Sequence, residues 1–184
     1  MSETAESLLE FWVDGIPPER WYVSDAELDA EIARRFEPLW ERARDGGLET
    51  WKQEPRSALA LLVLLDQFSR NMFRGTPKAF STDALALRIA KQSIEARHDM
   101  AIPEPERQFF YLPLMHAEDN DDQSRCCALI AERMPETGHH NTEHAEKHAE
   151  VIARFGRFPS RNAILGRDDT AEERAYREAG GYMG

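Results

Sequence analysis

Apolar residues recur along this chain at three- and four-residue intervals, the spacing that lines one face of a helix. The pattern opens over Glu3 to Val13. A second helix is predicted from Ser24-Asp25-Ala26-Glu27, which reads as a capping box, with Ile32, Phe36, Leu39 and Trp40 on its apolar face and Gly46 at its end. Pro55 suits a first helical position, and the helix that follows runs from Ala58 to about Asn71. Its stretch Leu59 to Leu65 is apolar on nearly every face, which predicts a buried central helix. Thr82 precedes Asp83 as a cap for a helix bearing Leu85, Leu87, Ile89 and Ile94 and ending near His98. An aromatic helix over Arg107 to Glu118 is interrupted by Pro113, where a kink or break is expected. Helices over Asp121 to Met134 and Asn141 to Phe155 follow, the latter closed by Gly156. Thr170-Ala171-Glu172-Glu173 opens the last with another capping-box pattern. These make eight helices, and no stretch alternates with the period of two that marks a strand. Short connections favour antiparallel neighbours, so the expected fold is all-α, a layered antiparallel helical array forming a single domain over residues 1–184.

Composition narrows the class without naming a function. A chain of 184 residues with 41% hydrophobic content can bury a core unaided. Its 34 acidic residues against 23 Lys and Arg give a formal charge of -11. Such a field repels phosphate backbones and anionic lipid, so neither nucleic acid nor a membrane surface is an expected partner. Residues 1–11 carry Glu3, Glu6 and Glu10 where an export signal would be basic and then apolar. The two cysteines, Cys126 and Cys127, are adjacent, point in different directions on a helix and suit packing in a reduced compartment. A cytoplasmic location is expected.

Charge distribution is where chemistry first shows. From Gln67 to Thr82 the chain has no acid, yet it carries Arg70, Arg74 and Lys78. From Val151 to Arg167 it again has none, while Arg154, Arg157, Arg161 and Arg167 all occur. Guanidinium offers a rigid bidentate fork for carboxylate or phosphate, so two basic islands in an acidic protein suggest an anion site. Pairing with acids from elsewhere in the chain explains the same residues without a ligand. Asp66 and Arg70, four apart on the central helix, suit an ion pair, which leaves Arg74 free or a ligand. The second island is also a long connection, Phe155 to Arg167, with a single helical turn between Pro159 and Leu165. Gly156 and Gly166 suit positive φ there, and Phe158, Ile164 and Leu165 suit anchoring on a core.

Two histidines are candidates for proton transfer. His148 shares a stripe with Ala145, Ile152 and Phe155 and so faces the core. His116 lies just past Pro113, beside Glu118 and Asp119. Each also suits a core histidine with satisfied hydrogen bonds. His140, His144 and His148 are spaced by four, but three such residues diverge along a helix axis and nothing nearby completes a zinc site, so no metal is expected.

Three stretches carry a resemblance: Leu65 to Gly75, Phe110 to Asp119, and Arg154 to Arg167. In that order they are similar to the signature blocks of a bacterial domain-of-unknown-function family, nine-two-four. The similarity extends over nearly the whole chain, from Phe11-Trp12 and Trp21 to Thr170-Ala171-Glu172-Glu173. The resemblance implies a tetratricopeptide-like all-α fold and no assigned activity. It also marks a departure, because the position of Ser160 usually carries histidine in that family.

Three functions fit these residues. The first is a helical-array protein that binds an anionic small molecule or an acidic peptide group through Arg70, Asn71, Arg74, Arg157, Arg161 and Asn162. The second is an enzyme on an anionic substrate, with His116 or His148 as its acid or base. The third is a protein-protein scaffold in which the arginines are structural. No phosphate loop, dinucleotide fingerprint or nucleophile motif is present, and no cofactor is implied.

Overall fold

Thr4 starts the first helix by accepting from the Ser7 amide on its side chain while its own amide donates to the Ser7 hydroxyl. The computed structural model describes residues 3–182, and among these the chain is helical with no strand. Helix α1 (Ala5–Leu9) continues into a π-helical turn over Glu10–Asp14. Helix α2 (Ala26–Arg44) is capped by Asp25, which accepts from the amides of Glu27 and Leu28; the box predicted from Ser24 is corrected by one residue.

Helix α3 is the centre of the fold. It begins at Pro55 over Pro55–Leu62, passes through a π-helical segment Val63–Phe68 and ends over Ser69–Met72. Every residue from Ala58 to Ser69 is buried, as the all-round apolarity of Leu59 to Leu65 requires. A π turn admits one extra residue and rotates everything beyond it, and such turns occur often at functional sites. Here the segment contains Asp66 and Gln67, both buried in an otherwise apolar helix. Phe68 from the same segment packs on Phe11, Trp12 and Phe36, with ring centroids 4.9–6.2 Å apart, tying α1 and α2 to α3.

Helix α4 (Asp83–Glu95) does not use Thr82 as a side-chain cap. The Thr82 hydroxyl instead donates to the carbonyl of Leu65 in the π segment, 2.6 Å away, and accepts from the Trp40 indole at 3.4 Å. Burial decides this, because a carbonyl stranded inside the core costs more than an uncapped helix end open to solvent.

The predicted aromatic helix with an internal proline is also corrected. A 3-10 turn over Glu106–Phe110 ends first, and Pro113 sits in the opening turn of a new short helix, α5 (Leu112–Met115). Its missing N–H costs nothing there. Helices α6 (Asn120–Arg133), α7 (His139–Phe155) and α8 (Ala171–Glu178) complete the chain, with α6 and α7 packed along their lengths. Gly156 ends α7 at φ 67°, the left-handed conformation that favours glycine. Thr170 and Glu173 form the reciprocal capping box at the start of α8.

Replacing Thr82 by valine keeps the shape and strands the Leu65 carbonyl. The expected cost is about 1–3 kcal/mol, read as a lower urea midpoint with an unchanged slope. Ser81→Ala, which removes an exposed bond to the Lys78 carbonyl, should cost clearly less. Equal effects would refute the buried role of Thr82.

Candidate functional site

Asp66 is 2% exposed, so its carboxylate must find its counter-charges inside the protein. Gln67 donates to one oxygen. The other lies 2.8 Å from His116 Nδ1 and 3.1 Å from Arg70 Nη1. Burial pushes the Asp66 carboxyl up, but the charge of Arg70 and the contact with His116 outweigh it and hold the acid below its usual range.

Arg70 reaches further. Its two terminal nitrogens meet both oxygens of Asp83, the first residue of α4, at 3.0 and 3.1 Å. Asp83 in turn lies 3.6 Å from Arg161, on the 3-10 turn Pro159–Arg161. The two basic islands therefore meet across Asp83, in the order Asp66, Arg70, Asp83, Arg161. Arg161 lies over the rings of Phe158 and Phe80, 4.3 and 5.0 Å from their centroids. Its side chain is 13% exposed, yet it donates no hydrogen bond to any described residue. Burial and the neighbouring Arg70 lower its pKa to about 10, so it stays charged at neutral pH.

These groups open on a cavity of about 350 Å³ lined by Arg70, Arg74, His116, His148, Ser160 and Arg161, with Phe80, Phe158 and Ile164 as apolar wall. A second cavity of about 450 Å³ shares Phe80, His116 and Arg161 and adds the acids Asp83, Glu118 and Asp119. The His116 and His148 rings are 6.3 Å apart. His148 points Nδ1 at the His144 carbonyl, 2.8 Å away, and packs against Phe158 and Tyr182. Burial lowers both histidines to about 4, Arg70 adding to the effect at His116 and Arg161 at His148. Both are neutral at pH 7.

The other residues singled out from sequence are held by partners within the protein. Arg74 reaches the cavity but is held by Asp29, with bonds of 2.7 and 3.1 Å, and is not free. Asn71 bonds the same carboxylate. Arg157 forms a fork with buried Glu173 at 2.6 and 2.8 Å, so it anchors α8 and not a ligand. Asn162 is fully buried between Asp169 and Arg167. Arg167 grips Glu118, which also receives the amide of Phe158. His144 meets the Tyr182 hydroxyl and His140 stacks on His139. No cluster of three or more His, Cys, Asp or Glu fit to hold a metal occurs among the described residues. Sequence reading missed Asp83 and Phe80. Asp83 had one signal, being the first acid after the acid-free run.

The family of bacterial proteins of unknown function designated DUF924 matches residues 8–181. This chain belongs to that family. It is also similar to a protein of unknown function, ATU0120 from Agrobacterium tumefaciens, with 42% identity and a TM-score of 0.89 over 96% of this chain and 97% of that one. No curated protein matches. In this DUF924 protein Ser160 lies in the cavity wall. No helix among the described residues is long and apolar enough to cross a membrane.

Holding two histidines neutral makes folding pH-dependent. Between about pH 6.5 and 4 the unfolded chain binds protons there that the native state does not, so stability is complete above 6.5 and falls as pH drops through this window. Each histidine is worth roughly 3 kcal/mol over it. Urea midpoints taken from pH 7 to 4.5 should fall less steeply for His148→Gln than for the native chain. An identical slope would show that His148 is not held neutral.

Proposed function

We propose that this protein binds a small anion, a carboxylate or a phosphate, in the cavity beside Arg161. The observation that carries the reading is a largely buried guanidinium, charged at neutral pH, that has Asp83 only at 3.6 Å and is hydrogen-bonded to no described side chain or backbone group. Such a group is costly to bury and gains most from an anion. Phe158 and Phe80 fix its plane, so an incoming anion finds it already oriented. Arg70 stands behind it as a fixed charge already engaged by Asp66 and Asp83. This replaces the six-residue ligand set with Arg161 as direct contact and Arg70 as support. The reading includes one cytoplasmic domain of tetratricopeptide-like stacking that uses neither nucleic acid nor membrane as a partner.

Millimolar phosphate should raise the melting temperature beyond an equal ionic strength of chloride, by about 3–6 °C at ten times Kd. Arg161→Met should remove the increment, and Arg154→Met, from the same basic stretch, should keep it. An increment that persists without Arg161 would refute the site.

A second reading is favoured by the Asp66–His116 contact. A carboxylate that orients one imidazole nitrogen leaves the other as a general base. Any turnover found among small phosphate esters and carboxylic acids should then fall about 10²–10⁴-fold in His116→Asn. Turnover that survives the loss of both His116 and His148 would exclude this reading.

A further inference from the structure

Beside the unspent donors of Arg161 the cavity holds two unspent acceptors. His116 Nδ1 faces a carboxylate that stays ionised, so that nitrogen carries the proton and donates to Asp66. His148 Nδ1 faces the carbonyl of His144 at 2.8 Å, which can only accept, and the Tyr182 hydroxyl farther off at 3.4 Å, so the closer partner places its proton on Nδ1. In both rings the lone pair is therefore on Nε2. Neither Nε2 has a hydrogen-bond partner among the described residues, and neither is among the buried atoms sealed off without one, so both keep access to solvent in rings that line the same cavity. Both remain neutral at pH 7, and the acceptors persist there.

An anion with only acceptor oxygens satisfies Arg161 and leaves these lone pairs without a donor. We infer that the ligand is an anion that carries its own hydrogen-bond donor, a hydrogen phosphate or a hydroxy-carboxylate, oriented by Arg161 on its charge and by the Nε2 atoms of His116 and His148 on its O–H. This rests on the anion site proposed above and adds a rule of selection to it. A buried acceptor left unmatched is the strongest source of discrimination between ligands of like shape and charge. Sulfate matches phosphate in shape but has no O–H at neutral pH, and acetate lacks the hydroxyl of glycolate.

The test compares these four ions on the full chain at pH 7 and constant ionic strength, by calorimetry or thermal shift. Phosphate should bind at least about tenfold more tightly than sulfate, and glycolate than acetate, a ratio of the size expected for one unmet buried hydrogen bond. His116→Leu should bring both ratios toward one while leaving weak, Arg161-dependent binding. His148→Leu, on a side already packed against Phe158 and Tyr182, gives the same readout if the first variant does not fold. Equal affinity for phosphate and sulfate, with all binding lost in Arg161→Met, would overturn the inference and leave the anion site standing. If none of the four binds, the site itself falls.

Discussion

A carboxylate inside the central helix sets the terms for the rest of this protein. Asp66 occupies a segment whose neighbours Leu64, Leu65 and Phe68 are fully buried, where an isolated charge would be prohibitively costly. It is retained as an anion by what gathers around it: Gln67 and Arg70 from its own helix, and His116 from the end of α5. Meeting that demand buries Arg70, which then needs a second carboxylate and takes Asp83 at the start of α4. Each buried charge thus recruits the next element. The π-helical segment belongs to the same solution, since the carbonyl of Leu65 within it is taken by Thr82 while the Asp66 carbonyl is taken by Arg70.

The loop between α7 and α8 is held by a separate set of contacts. Gly156 turns the chain, and Phe158 enters a small apolar cluster with Val151 and Ile152. Arg157 grips Glu173 at the cap of α8, while Arg167 ties Asn162, Glu118 and the Phe158 carbonyl together. Two of the loop's basic side chains, and Arg154 at the end of α7 with Glu172, therefore hold structure. Arg161 alone points toward the cavity with its hydrogen bonds unmade.

Much of this architecture was legible because helix signals are local. Pro55, Gly156 and the Thr170–Glu173 box act through residues at most a few positions away, and the burial of Leu61 and Leu62 follows from apolarity on all faces. The absence of acids drew attention to Arg70 and Arg161, and stripe position to His148. Pairing between distant residues left no such trace. Asp29 lies 45 positions before Arg74, and nothing in either neighbourhood says that they meet. Thr82 and Pro113 misled for a related reason: each fits a local rule, capping in one case and helix breaking in the other, and each is used differently because of what surrounds it.

The open state of Arg161 follows from the count of charges. Asp66 and Asp83 face Arg70 and Arg161, which is neutral in sum, but Asp66 also serves His116 and Asp83 gives its close, two-pronged contact to Arg70. Glu118 is near enough to favour the charged form of Arg161. Its two oxygens are engaged elsewhere, by Arg167 and the amide of Phe158. The chain of ion pairs that begins as a means of keeping Asp66 buried thus ends at Arg161, whose 3.6 Å approach to Asp83 is longer than the two contacts Asp83 makes with Arg70.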